Sequence, residues 1–357
     1  MIYLVGGARP NFMKIAAISR AFEKYEIEYE IIHTGQHYDY NMDKTFFEEF
    51  KLKKPLAHLG VGSANHGKQT GMIMERFEEL CMKMKPEMVF TVGDVNSTMA
   101  AALVASKLHI PIAHQEAGMR SFDKKMPEEI NRIVTDHISD FLFPISPQDR
   151  RNLYNEGIAQ DKIFLVGDPM IDNLLYYLED TESPDIVRNY ILVELHRPAN
   201  VDNKENLKTI LEALNELVPH CEIVFPLHPR TFKMINEFDL GKILFDVDYR
   251  REPMGYFEFI RYMKHAEAII TDSDGIQQET SVLNKPCISI RDTCNSQYTI
   301  DYGTNVLVDV DINKIVSAAT YPIYNEPLKS NFPEQLKMLN DGNASERIAK
   351  IISERNK

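Results

Sequence analysis

The sequence predicts an α/β protein with doubly wound parallel sheets in two successive domains, and three observations carry that prediction. Short apolar runs recur along the chain, at residues 2–5, 88–92 and 268–271 among others. They read as parallel strands buried on both faces. Between them apolar residues fall at helical spacing, as at Phe12, Ile15, Ile18 and Ala21. The alternation runs twice. It breaks at residues 179–187, an acidic, proline-containing stretch with no periodicity.

The first series opens with a strand at 2–5, a glycine turn at 6–10 and a helix, the order of a nucleotide-type unit. Its G-G-x-R turn is not the G-x-G-x-x-G of dinucleotide sites. Arg9 and Lys14 are cations at a helix start, which the helix dipole does not favour. Two readings stay open, a bound anion or solvated surface charge. A strand at 29–33 leads to Thr34-Gly35-Gln36-His37, and a helix is expected over 41–50. A glycine-spaced loop at 60–67 opens a long amphipathic helix over 66–84, whose Met72, Met74 and Met82 read as core. A strand at 88–92 ends in Gly93-Asp94-Val95-Asn96-Ser97, with Ser97 as the expected cap of a helix over 98–108. A strand at 110–113 leads into residues 114–132, where Glu116, Asp123, Glu128 and Glu129 stand beside Arg120 and Arg132. Pro127 starts a helix, and Glu128 and Arg132, four apart, share a face of it. Strands at 141–145 and 163–166 alternate with helices from 147 and 170.

The second series begins with a strand at 190–195, ending in His196-Arg197-Pro198. A helix over 204–218 and a strand at 223–226 lead to His228-Pro229-Arg230. A helix around 256–264 and a strand at 268–271 lead to Asp272-Ser273-Asp274-Gly275, which opens a helix over 275–284. Strands at 287–290 and 305–308 follow, and the chain closes in a helix at 346–355. The expected partition is 1–180, 186–342 and a final helical segment, 343–357.

At 357 residues the chain exceeds one ordinary core. Its net charge of −13 disfavours nucleic acid, which needs clustered cations. No apolar run approaches the roughly 20 residues that span a bilayer, and no leader-like segment precedes the first strand. Four cysteines without C-x-x-C spacing point to a reduced, cytoplasmic protein without a cysteine-based metal site. The residues imply no required metal and no cofactor.

Two constellations suggest chemistry. In the second domain, Ser273, Gly275 and the amides opening the following helix can cradle phosphate. Glu279, one turn in, can accept from ribose hydroxyls, and Arg291 adds a cation. A capped helix with N-terminal acids is the plain alternative. In the first domain, Asp94, Glu116 and Glu128 can form an acid–base group with His196 of the second, and Asp123 is a further candidate for it. His37, His196 and His228 stand out among eleven histidines because each ends a strand.

The motifs G-A-R-P-N-F-M-K (7–14), T-G-Q-H (34–37), H-G-K-Q-T (66–70), G-D-V-N-S-T (93–98), H-Q-E-A-G-M-R (114–120), M-P-E-E-I-N-R (126–132), L-H-R-P-A-N (195–200), D-S-D-G-I-Q-Q-E (272–279) and D-G-N-A-S-E-R-I (341–348) occur in this order. Together they resemble the UDP-N-acetylglucosamine 2-epimerases nearly end to end. The resemblance implies a GT-B-like architecture of two Rossmann-like domains facing an interdomain cleft, with the last helix packed back on the first domain. It implies inversion at C2 of a UDP-linked 2-acetamido sugar, through anti-elimination of UDP and re-addition to a 2-acetamidoglucal. Asp94, Glu116, Glu128 and His196 would match the family's catalytic groups. Arg9, Lys14, Ser273, Gly275, Glu279 and His228 would hold UDP, with His37, Arg120, Arg197 and Arg291 completing the binding set. A homodimer is the expected assembly.

The departures concentrate in the second domain. Asp274 replaces a glycine of the family's D-S-G-G, Gln278 an acid of its E-E, residues 294–298 its T-E-R-P-E and residues 339–342 its Y-G-D-G. Residues 38–41 differ from the glutamine-bearing loop of activator-dependent members, so allosteric activation is not expected. The chemistry is expected to persist with altered sugar or nucleotide specificity. A hydrolysing 2-epimerase, a GT-B glycosyltransferase and a sugar-nucleotide-binding pseudoenzyme are the alternatives.

Overall fold

The structure, a computed structural model, describes residues 1–35, 47–178, 184, 189–244, 248–250, 254–294 and 296–355. His37, the expected binding histidine, most of the expected 41–50 helix and, apart from Pro184, the 179–187 stretch lie outside the described residues. The chain divides into two compact units, Met1–Asn173 with Leu336–Lys357, and Leu174–Gln335. This division falls earlier than the acidic stretch, inside the helix Pro169–Leu178. It also assigns residues 336–342 to the first unit.

In the first unit, β1 (Ile2–Gly6), β2 (Tyr29–His33), β3 (Ala57–His58), β4 (Met88–Val92), β5 (Ile112–Gln115) and β6 (Phe141–Phe143) form a sheet in the order β3-β2-β1-β4-β5-β6. Every pairing is parallel. β1 and β4 are buried along their whole length, as their uninterrupted apolar runs require. The order reverses between β1 and β4, so their carboxyl ends flank the switch point where α/β sheets bind ligands. The register pairs Val5 with Thr91, setting the turn after β1 beside the exit of β4.

In the second unit, β7 (Tyr190–Glu194), β8 (Glu222–Pro226), β9 (Asp248–Arg250), β10 (Ala268–Thr271), β11 (Cys287–Ile290) and β12 (Asn305–Val308) form a parallel sheet in the order β12-β11-β10-β7-β8-β9. This is the same winding, with its switch point between β7 and β10. A core of Ile191, Val193, Leu211, Leu214, Phe225 and Ile270 packs one face.

The final helix, Ala344–Arg355, buries Ala344, Ile348, Ala349 and Ile352 and packs on the helix Arg9–Lys24. Asp172 receives its first amides, Ala344 N at 3.0 Å and Ser345 N at 2.6 Å.

Several local expectations differ from the structure. Residues 163–166 form no strand; Ile163 makes a single parallel bridge to Leu142. The helix Asn96–Lys107 begins earlier than expected, and Ser97 does not cap it, because its hydroxyl pairs with Thr34 Oγ1 at 2.7 Å. Of the methionines read as core, Met82 is 75% exposed. The helix His66–Lys83 buries Ile73, Phe77 and Cys81 instead.

Candidate active site

The first unit gathers its chemistry where β1, β4 and β5 end. Asn11 ties these exits together. Its Oδ1 accepts from Gly7 N and Ala8 N at 3.2 and 3.0 Å, and its Nδ2 donates to Val92 O at 3.0 Å. Gly93 has φ +74°, and a Cβ there would meet Asn11 Nδ2 at 2.8 Å and Glu116 Oε2 at 3.3 Å. Glu116 itself has φ +71°. A non-glycine residue in the left-handed region costs roughly 1–3 kcal/mol and persists only where its surroundings hold it.

Its carboxylate is held by Lys14, whose Nζ lies 2.5 Å from Glu116 Oε2. Lys14 is buried, not solvated. Burial works to lower its pKa, but Glu116 and Asp168 outweigh that and raise it, so the ammonium stays charged. The anion at Lys14 is therefore a carboxylate of this chain. Arg9 sits exposed at the first position of the same helix, with its guanidinium unpaired among the described residues.

Asp94 is held from the other side. Arg132 Nε and Nη2 donate to its Oδ2 at 3.1 and 2.8 Å, and Arg132 Nη1 donates to Glu129 Oε2 at 2.9 Å. Arg132 thus pairs within its helix, Pro127–Ile138, with Glu129 and not with Glu128. Glu129 also accepts from Ser121 N, Ser121 Oγ and Phe122 N, which fixes the preceding loop. Glu128 is half-buried and carries no ion pair among the described residues. Asp123 is exposed and accepts from Lys125 N.

Arg120, expected in the binding set, is taken up by partners within its own unit. Its side chain is 1% exposed, with Nη2 2.7 Å from Asp136 Oδ2. Nε and Nη2 donate to Glu156 at 2.6 and 2.7 Å, and Nη1 donates to Met119 O. Asp136 also meets His114 Nδ1 at 2.6 Å, and His114 Nε2 lies 2.9 Å from Gly93 O. This buried chain of contacts braces the peptide next to Asp94. Burial would raise the Asp136 carboxyl pKa, but His114 and Arg120 hold it below its ordinary value.

Asp168 went unread in the sequence. It is buried, and its pKa is pushed up to about 7 by burial, against the pull of Lys14 and with a further push from Glu116. The signal was present: Gly167-Asp168-Pro169 opens a helix just as Gly93-Asp94 leads into one.

In the second unit, His196 follows β7. Its Nδ1 lies 2.7 Å from Glu194 Oε1 and 3.4 Å from Asp272 Oδ1. Asp272 is fully buried and accepts from His196 N, Arg197 N and Asn200 Nδ2 at 3.1, 3.1 and 3.0 Å. Glu194, His196 and Asp272 bring one ligand atom each within 4.8 Å of one another, and these hydrogen bonds account for that closeness. The His228 ring is 5.5 Å from that of His196, and its Nδ1 accepts from Arg230 N.

Ser273 precedes the helix Asp274–Val282 and makes no side-chain capping bond. Gly275, at the second position, is exposed, with Ser273 Oγ 3.9 Å from where a Cβ would stand. Glu279 is buried and accepts from Tyr256 Oη at 2.8 Å. Asp274, the departure at the expected phosphate turn, reaches both candidate cations. Arg197 Nη2 lies 2.5 Å from its Oδ2, and Arg291 Nη1 bonds to its Oδ1. One anion is clamped by two cations, so the group keeps a net positive charge.

Titratable side chains collected at the carboxyl ends of two parallel sheets of Rossmann order define an α/β enzyme of the GT-B-like class. The family model for UDP-N-acetylglucosamine 2-epimerase matches residues 20–353, and the chain belongs to that family. A UDP-N-acetylglucosamine 2-epimerase of Methanocaldococcus jannaschii is 42% identical over 98% of both chains. A UDP-2,3-diacetamido-2,3-dideoxy-D-glucuronate 2-epimerase of Pseudomonas aeruginosa is 39% identical over 99% of both. The crystal structure of the Methanocaldococcus jannaschii UDP-GlcNAc 2-epimerase with UDP-GlcNAc and UDP superposes with a TM-score of 0.87, at 42% identity, covering 99% of each chain.

Proposed function

We propose that this chain inverts C2 of a UDP-linked 2-acetamido sugar, UDP-N-acetylglucosamine or a relative such as a diacetamido uronic acid. The observation that carries the reading is the pair of carboxylates at neighbouring strand exits, Asp94 held by Arg132 and Glu116 by Lys14. Each is fixed in place by a cation and braced from behind, as preorganised acid–base and electrostatic catalysis requires.

In the proposed step a base takes the C2 proton while the C1–O bond to UDP breaks. The C–H electrons become the C1=C2 bond of a 2-acetamidoglucal, and the bonding pair leaves with UDP. Protonation of C2 from the other face and return of the UDP oxygen to C1 complete the inversion. Carboxylates stabilise the positive charge that develops at C1. Asp94, Glu116 and Glu128 form the acid–base set, with His196 assisting. Ser273, Gly275, Glu279, His228 and Arg9 hold UDP, and retention of UDP keeps it available for return. A cytoplasmic homodimer is the proposed state; no helix among the described residues is long and apolar enough to cross a membrane.

The test is incubation with UDP-N-acetylglucosamine and with the diacetamido uronic acid in deuterated water, followed by proton NMR. The expected result is deuterium at C2 in both epimers, still attached to UDP. Free UDP rising in step with free sugar would convert the reading to a hydrolysing enzyme. Absence of exchange with every UDP-sugar that binds would remove it.

A further inference from the structure

Glu194 is a lone carboxylate in the apolar run at 191–195, on a strand buried on both faces. A carboxylate there needs compensation. The structure supplies two direct partners at its end of β7. Thr271 Oγ1 donates to Glu194 Oε2 at 3.1 Å, from a residue in register with it on β10. His196 Nδ1 lies 2.7 Å from Glu194 Oε1. The Thr271 hydroxyl has one proton, and its oxygen accepts from Ser273 N at 3.0 Å, so the bond to Glu194 has a fixed direction. No lysine or arginine reaches Glu194 among the described ion pairs, which leaves His196 as the group that can neutralise it.

We propose that Glu194 is the positioning residue of His196: it fixes Nδ1 as a donor and holds the ring as a cation whose Nε2–H faces an anionic ligand, the diphosphate of a sugar nucleotide. The role of that ligand rests on the function proposed above; the Glu194–His196 pair does not. Asp272 is not the orienting group, because its Oδ1 stands 3.4 Å from Nδ1 against 2.7 Å for Glu194 Oε1, and its carboxylate already accepts three N–H bonds. Nε2 makes no hydrogen bond among the described residues, and the side chain is 37% exposed. The groups facing the ring are Glu194 from β7, Asp272 from the exit of β10, Arg197 from the following turn and His228 from the exit of β8. Burial would lower the His196 pKa. Glu194 and then Asp272 outweigh it and raise the value, with Arg197 opposing them. His228, by contrast, is lowered by burial and by its neighbour His196.

The experiment is a histidine NMR titration of the full chain, with His196 assigned through H196N, in wild type and E194Q. The amide introduced by E194Q keeps an acceptor for Nδ1 and removes the charge. The His196 midpoint should fall by about one pH unit or more, a tenfold change in proton affinity. The alkaline limb of kcat/KM should move down by the same interval, with activity near wild type at acidic pH. A midpoint and limb that stay in place in E194Q would overturn the proposal. Should E194Q not fold, the wild-type midpoint decides, and a value at or below the ordinary 6.5 overturns it. If the wild type exchanges C2 of no UDP-sugar, the function falls while the NMR midpoint still judges Glu194.

Discussion

Lys14 Nζ lies 2.5 Å from Glu116 Oε2, with the two side chains only 10% and 14% exposed. A cation whose place at a helix start suggested a phosphate is instead committed to a candidate catalytic carboxylate. Removing one partner of a buried pair costs roughly 3–5 kcal/mol. Lys14→Met should lower the urea midpoint accordingly and abolish C2 exchange. The double variant Lys14→Met/Glu116→Gln should regain most of the stability without regaining exchange. A single variant as stable and active as wild type would remove the pair from both roles.

The proposed acid–base carboxylates should separate binding from chemistry. Asp94→Asn and Glu116→Gln should bind UDP as wild type does in calorimetry, while C2 exchange falls by about 10²–10⁴-fold. Full exchange in either variant would take that residue out of the acid–base set.

Arg120 gives the opposite pattern. Its guanidinium is consumed by Asp136, Glu156 and Met119 O, so Arg120→Ala should cost roughly 3–5 kcal/mol of stability. UDP affinity at a temperature where the variant is folded should not change. Loss of UDP binding without loss of stability would restore Arg120 to the binding set.

Asp149 provides a pH signature. It is buried, and its pKa is pushed up to about 7 by burial, although Ser146 donates to it. A carboxyl raised in the folded state binds its proton more tightly there than when unfolded. Its stabilisation is complete below the unfolded value of 3.8 and is lost as pH rises through about 7. Asp149→Asn keeps an acceptor for Ser146 and abolishes this dependence. The variant should gain up to roughly 3–4 kcal/mol over wild type at pH 8, less at pH 5 and nothing below pH 4. Denaturant melts at these values check it, and a constant difference across them would refute the assignment.

Asp274 occupies the two arginines nearest the expected phosphate turn. Asp274→Gly should release Arg197 and Arg291 and tighten UDP binding by about tenfold, or about 1.4 kcal/mol. Calorimetry with UDP reads it directly. Weaker binding would mean that the carboxylate aligns the arginines for the ligand.

The sheets were legible because doubly buried parallel strands carry uninterrupted apolar runs, and most residues of the candidate site could be picked out because they stand where those runs stop. The edge strands β3 and β9, of two and three residues, are too short to leave a period. Partnerships were the larger omission. Nothing local says that Arg120 will meet Glu156, thirty-six residues on, or that Ser97 will turn from its helix to Thr34 across the sheet. Asp274 was legible as a departure from the family's D-S-G-G. Which cations would neutralise it depended on β7 and β11 bringing Arg197 and Arg291 to the same end of one sheet.

The second unit is an uninterrupted segment, whereas the first is completed only by residues 336–355. A ribosome making about 5–20 residues per second needs on the order of ten seconds to pass through 174–335. During that time the N-terminal sheet exists without its closing helix, and the side of Arg9–Lys24 on which that helix packs stays open to chaperones or to other nascent chains. Asp172, made early, waits for the amides of Ala344 and Ser345 to arrive. The unit that begins synthesis first is thus the one that finishes folding last.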